Sequence, residues 1–200
     1  MSVVPKKKKA KVFGKVRKLK ILTEHIPRCK KCLTLRSNGM AIPFWKPESR
    51  FLGIAEAPGR VEVEAKTPLV GPAGDKWREE IERIGLTRED FVLLNSVQCR
   101  PVVSGRNGKP TFDEMINCWF WVKKYIESAR PEKILAMGNY AVWSIFRTGS
   151  TLGGIMGSSG KLIGTCCNVP VYACIHPASL LYSNDNLTIF RESLRKFKAA

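Results

Sequence analysis

What most constrains this chain is a set of four short apolar runs, at residues 51–55, 91–97, 133–137 and 169–175. Each has the length of a strand, and near-continuous apolar character marks a strand covered on both faces. The stretches between and after the runs are helical in period. Trp77, Ile81 and Ile84 share a face before Gly85, residues 112–129 make a long amphipathic helix, and residues 140–146 make a short one. Phe190, Leu194 and Phe197 line a terminal helix. Strands alternating with helices predict an α/β three-layer sandwich with a central, mostly parallel four-stranded sheet flanked by helices. Ligands in such folds bind beyond the carboxyl ends of the strands. Three unusual segments stand there: residues 56–59, Asn95, and the stretch that opens with His176-Pro177.

Charge says something about the partner. The 200 residues carry 34 Lys and Arg against 17 Asp and Glu, a net +17. Residues 1–20 hold nine basic side chains and no acid, the segment through Arg36 carries +12, and the remaining 164 residues carry only +5. Residues 1–20 are therefore expected to be a disordered basic arm on a domain spanning residues 21–200. Lys6, Lys7, Lys8 and Lys9 suit electrostatic contact with a phosphate backbone. The same run after Pro5 also reads as a nuclear-localisation patch, a solubilising tail or a tag.

A hydrophobic fraction of 44% excludes global disorder. No stretch reaches the ~20 apolar residues of a membrane span, and no apolar run follows the basic N-terminus. The expectation is an intracellular monomer, cytoplasmic or nuclear, neither secreted nor membrane-bound. Seven cysteines in a reducing compartment then need a use other than disulfides. Cys29 and Cys32 form a C-x2-C pair, with Cys99 and Cys118 much further along. Four such thiolates can close a tetrahedral zinc site or hold an iron–sulfur cluster, and by spacing alone zinc is the commoner occupant. Taken singly, Cys99 and Cys118 also read as buried thiols. Cys166, Cys167 and Cys174 read as core or turn residues of the last strand.

Four motifs in order, with four matching cysteines, carry a family resemblance. Ala55-Glu56-Ala57-Pro58-Gly59 resembles the G-E-A-P-G loop of the family 4 (iron–sulfur) uracil-DNA glycosylases. Residues 68–74, Pro-Leu-Val-Gly-Pro-Ala-Gly, resemble that family's P-F-V-G-x-A-G. Residues 95–101 look like its N-V-V-K-C-R-P, and His176-Pro177-Ala178-Ser179-Leu180 like its H-P-A-A-L. Cys29, Cys32, Cys99 and Cys118 match the cluster ligands one by one. The resemblance runs from about Cys29 to the C-terminus and leaves the arm outside. It implies a 4Fe–4S cluster in place of zinc, DNA containing uracil as the partner, and hydrolysis of the N-glycosidic bond of uracil.

The residue types suit that chemistry. The base must leave the duplex before its reacting atoms can be reached. The sugar then gains oxocarbenium character while the base leaves as an anion, which a fixed donor in a water-poor pocket stabilises. His176 is that donor, or else a hydrogen-bonded structural histidine. Asn95 offers donors and an acceptor in one plane, enough to read uracil and refuse cytosine; its other reading is a strand-end turn residue. Glu56, Ala57 and Gly59 build a loop on which base and water approach closely. Ala57 stands where a better-known glycosylase family carries a water-handling carboxylate. Glu62 either orients water or holds the loop. Leu180, Leu181 or Tyr182 can wedge into the gap left by a flipped nucleotide, or pack under the last helix. Arg100 and Lys161 are candidate phosphate contacts.

Two positions depart from the family. Ala55 replaces a glycine, and Leu69 replaces a phenylalanine that stacks on uracil, a contact worth about 1–3 kcal/mol. No histidine lies between Cys99 and Cys118, so the His-bearing loop of relatives that trap themselves on DNA is not evident. Alternatives to a uracil glycosylase are one with shifted base specificity, a DNA-binding protein with little catalysis, and a structural iron–sulfur or zinc module of a larger assembly.

Overall fold

The computed structural model describes residues 6–32, 35, 37–147 and 159–200. Its elements in chain order are α1 (Lys6–His25), β1 (Phe51–Ala55), α2 (Arg60–Glu64), α3 (Pro72–Glu82), β2 (Phe91–Asn95), β3 (Val102–Val103) and β4 (Arg106–Asn107). They continue with α4 (Phe112–Ala129), β5 (Ile134–Met137), α5 (Asn139–Phe146), β6 (Leu162–Cys166), β7 (Val169–Cys174) and α6 (Asn184–Ala199). The main sheet has the order β2-β1-β5-β7-β6. The first four strands are parallel, and β6 runs antiparallel at the edge.

The four apolar runs are thus the four parallel strands, and the α/β class with helices on both faces holds. Residues of alternate parity point to opposite sides. Leu52, Ile54, Val92, Leu94, Ile134 and Ala136 pack with Val122, Tyr125 and Ile126 of α4 and with Ala141 and Val142 of α5. Phe51, Phe91, Leu93, Leu135 and Met137 pack with Trp77 and Ile81 of α3 and with Phe190, Leu194 and Phe197 of α6. Glu80 of α3, 2% exposed, accepts two bonds from the Arg191 guanidinium of α6 at 2.7 and 2.9 Å, which ties the outer helices to each other.

Two expectations are corrected. The sheet has five strands rather than four. β6 escapes detection because it is interrupted by Gly164 and only partly buried, on an edge where apolar side chains are not required. It joins β7 through Cys167 and Asn168, at φ 52° and 62°, the backbone of a tight hairpin. Cys166 is buried beside that turn, Cys167 is exposed on it, and Cys174 is buried in β7, as their core-or-turn reading requires.

The second correction concerns the arm. Residues 6–20, expected to be disordered, belong to α1, which crosses the expected domain boundary without a break. Leu19 and Ile26 are fully buried in the core, with Leu22 packed beside them. Thr23 Oγ1 meets Tyr125 Oη of α4 at 3.1 Å and accepts from Trp45 Nε1 at 2.8 Å. Lys15 Nζ donates to the Ser49 carbonyl. A docked last turn removes the cost of helix nucleation, so the helix extends back through lysines that are good helix formers. Lys6, Lys7, Lys8 and Lys9 form its first turn.

Leu19 anchors this helix, so Leu19→Ala is expected to lower the stability of the whole domain by about 2–5 kcal/mol, the range for truncating a buried leucine. Urea denaturation checks it. A loss under 0.5 kcal/mol would place α1 outside the cooperative core.

Candidate functional site

The parallel register brings the carboxyl ends of four strands together. Ala55 pairs with Asn95, and Met137 with Cys174. The 56–59 loop, Asn95, Gly138 and His176 therefore share one edge of the sheet.

Glu62 organises the first loop. Its Oε2 accepts from Gly59 N at 3.1 Å, and its Oε1 accepts from Val70 N at 3.2 Å and Gly71 N at 2.7 Å. Both oxygens are engaged with backbone donors that bind the 56–59 loop to the segment before α3. Of the two roles open to Glu62, the geometry supplies loop-holding. Arg88 secures the same segment from below, donating to the carbonyls of Leu69 at 3.0 Å and Pro68 at 2.7 Å and to Thr67 Oγ1 at 3.0 Å. Burial pushes its guanidinium down to about 10.

Leu69 has φ 55° and is 5% exposed, packed in the core beside Trp77. A Cβ on Gly74 would come within 2.1 Å of the Leu69 carbonyl carbon, so α3 can start this close only with glycine there. Glu56 is half-buried. Burial pushes its carboxyl above the usual range, against the field of Lys109, which favours the charged form. Ala57 packs beside Cys32, Cys99 and Cys118 in a small apolar cluster around Leu35, Val97 and Met115.

Asn95 is 2% exposed at the end of β2. Gln98 holds its backbone at both ends, Oε1 accepting from Asn95 N at 3.3 Å and Nε2 donating to the Asn95 carbonyl. Among the described residues nothing accepts from Asn95 Nδ2. A buried donor in that state costs about 1–3 kcal/mol, which an incoming acceptor would relieve.

His176 follows β7. Its Nδ1 accepts from Ala178 N at 3.2 Å, so the ring proton of the neutral imidazole sits on Nε2. Burial pushes the ring down to about 4, opposed by the field of Glu62. Gly138, at φ 86°, lies under it, and a Cβ there would approach His176 Cβ to 2.9 Å. The 3-10 turn Pro177–Leu181 continues from the histidine. Its apolar residues divide. Leu180 is partly buried against the core, whereas Leu181 is 43% and Tyr182 84% exposed. Exposure suits Leu181 and Tyr182 to a wedge and gives Leu180 the packing role.

The four expected cysteine ligands also converge. Cys29, Cys32, Cys99 and Cys118 line one small cavity with Leu35, Val97, Glu114 and Asn117, and no disulfide involves them. Burial pushes the Cys118 thiol up to about 12, with Cys99, Cys29 and Cys32 adding to the shift. Gln98 N donates to Cys118 Sγ at 3.4 Å. Among the described residues, no three His, Cys, Asp or Glu side chains are drawn into a finished metal shell. The donor set, four thiols around one small cavity, nonetheless fits a soft-metal or iron–sulfur group.

Beside the site, sequence reasoning also missed the hairpin of β3 and β4 within residues 101–110. Its signal was Ser104-Gly105 between short apolar and polar pairs. Arg100 is tied to it, donating from Nε to Asn107 Oδ1 at 2.7 Å. Lys161 is exposed just before β6. No helix among the described residues is long and apolar enough to cross a membrane.

Comparison with known proteins bears on this site. The model of the uracil DNA glycosylase superfamily matches residues 42–198. The type-4 uracil-DNA glycosylase of Saccharolobus solfataricus is 32% identical over 193 residues, covering 91% of this chain and 86% of its own. Those of Archaeoglobus fulgidus and Thermotoga maritima are each 30% identical, covering 80% and 90% of this chain and 82% and 93% of their own.

The histidine makes a pH prediction. Between about pH 6.5 and 4 the unfolded imidazole takes up a proton while the folded one stays neutral. The unfolded state then binds more protons, so stability falls as pH drops through that window. His176→Gln removes this contribution, and its denaturation midpoint is expected to fall less between pH 7 and pH 5 than that of the unaltered protein. Equal falls would show that the histidine titrates alike in both states.

Proposed function

The chain belongs to the uracil DNA glycosylase superfamily, resembling the type-4 enzymes along most of its length, and from that premise we propose that it hydrolyses the N-glycosidic bond of uracil in DNA to begin base excision repair. The observation that carries the reading is the buried Asn95 carboxamide with its unpartnered Nδ2 at the strand end. Uracil O4 is an acceptor and satisfies it. Cytosine presents an amino group at that place, which sets donor against donor.

The base enters the pocket flipped out of the stack. Gln98 fixes the Asn95 backbone, so little side-chain ordering remains to be paid on binding. His176 points Nε2–H at the uracil O2 as negative charge develops there. Because its ring stays neutral down to about pH 4, it acts at neutral pH as a preorganised neutral donor. Glu62 is spent on the loop, so Glu56 is the carboxylate we assign to the water and to the cationic sugar. The small residues Ala57 and Gly59 let the loop pack tightly behind Glu56, and Leu69 fills the core beneath it. Leu181 and Tyr182 fill the vacated stack, and the lysines of α1 tether the protein to DNA without reading sequence. A second reading, a DNA-binding protein with weak catalysis or a shifted base range, is favoured by one feature: Leu69 lacks an aromatic face and lies 5% exposed.

Cys29, Cys32, Cys99 and Cys118 would hold a 4Fe–4S cluster, with zinc as the alternative. When bound, the group cross-links the 29–32 segment to the end of β2 and to α4, adding binding free energy to folding.

Two experiments test these readings. Incubation with a uracil-bearing oligonucleotide, followed by alkali, is expected to cut the strand at uracil. Asn95→Ala and His176→Ala should each lower single-turnover excision by about 10²–10³-fold while DNA affinity stays close to that of the parent. No product at stoichiometric enzyme would overturn the catalytic reading. Anaerobically purified protein is expected to be brown and to contain iron, and Cys118→Ser should lose the colour and melt at lower temperature. Colourless protein with one equivalent of zinc would overturn the cluster assignment.

A further inference from the structure

β3 and β4 pair antiparallel, Val102 with Asn107 and Val103 with Arg106. Ser104 and Gly105 turn the chain at φ 49° and 76°, the backbone that a tight two-residue hairpin needs. Gly108 N donates to the Pro101 carbonyl at 2.9 Å and closes the base. From Arg100 to Lys109 the segment holds three cations and no acid. Val103 is 64% exposed near the tip, and Arg106 opposite it is also exposed.

The root of the hairpin lies against the 56–59 loop. Asn107, held by Arg100, has its Nδ2 only 3.1 Å from where a Cβ on Gly59 would be. Lys109 is the cation whose field reaches Glu56. A hairpin with three cations, no acid and an apolar residue near its tip has the chemistry of a nucleic-acid probe, in which cations meet phosphates and the apolar group meets a base step.

We infer that this hairpin is a second DNA-gripping element, with Arg106 on a backbone phosphate beside the target nucleotide and Val103 against the neighbouring base step. The inference rests on reading the pocket as a base site in DNA and adds the surface that holds the flanking strand. Since Asn107 abuts Gly59, DNA gripped by the hairpin is held in register with the loop. The grip is electrostatic and blind to base identity, leaving recognition to Asn95.

The test uses the full chain and a uracil-free duplex, with affinity read by fluorescence anisotropy across a salt series. Arg106→Ala is expected to reduce the magnitude of the slope of log K against log salt by about 0.9, the value for one phosphate contact. Arg106→Lys should restore that slope. Val103→Ser should leave the slope unchanged and weaken binding to an abasic duplex several-fold. An unchanged slope in Arg106→Ala, or the same reduction from Arg195→Ala on the exposed face of α6, overturns the phosphate contact. Unchanged abasic-duplex affinity in Val103→Ser overturns the apolar one. Because the uracil-free duplex requires no excision, failure of the glycosylase reading would show in the oligonucleotide assay alone and leave this measurement standing.

Discussion

Parallel pairing of β1 with β2 on one side and β5 on the other is the constraint on which the remaining structure depends. A parallel strand cannot return through a short hairpin, so each crossover must travel the length of the sheet, and helices fill that distance. The same pairing satisfies the backbone of β1 while all five of its residues are buried. It also aligns the strand ends, placing Ala55 opposite Asn95 and Met137 opposite Cys174. A one-residue slip would turn the core side chains to the wrong face and separate Asn95 from the 56–59 loop.

On that frame, polar side chains bind the backbone of the strand-end loops at several points. Glu62 takes three backbone N–H groups, Arg88 covers two carbonyls, and Gln98 holds both ends of the Asn95 peptide. Asn95 Nδ2 stays unpaired inside this well-satisfied network. His176 follows the same logic: one ring nitrogen is committed to Ala178 N, leaving the other to meet a ligand.

Much of this was legible in the sequence, and the failures have physical causes. Apolar runs exposed the four parallel strands because burial on both faces demands them, whereas β6 on the edge is under no such demand. The lysines of α1 read as a repelling, disordered run. The stripe of Leu19, Leu22 and Ile26 that docks the helix is too short to outweigh that signal by composition. The order of strands and loops put residues 56–59, Asn95 and His176 at the carboxyl ends of the strands, where the parallel register brings them together. It did not say which backbone N–H groups Glu62 accepts from, since those lie eight and nine residues away across a loop. Nor did it separate buried Leu180 from exposed Leu181 and Tyr182, because neighbours in a 3-10 turn differ in burial with no helical or strand period to announce it.

The cysteine cavity adjoins the 56–59 loop and the Asn95 backbone through two residues, and that has energetic consequences. Ala57 packs in the same small cluster as Cys32, Cys99 and Cys118, and Gln98 both fixes Asn95 and donates its backbone N–H to Cys118 Sγ. Burial pushes the Cys118 thiol up to about 12, so a thiolate is costly in this apolar wall unless a metal charge neutralises it. Ligation by four thiolates would lock Gln98 and the 56–59 loop from behind. Loss of any ligand would loosen the side of the pocket where Asn95 is presented. The four cysteines and Asn95 are thus linked through one glutamine and one alanine, Gln98 and Ala57.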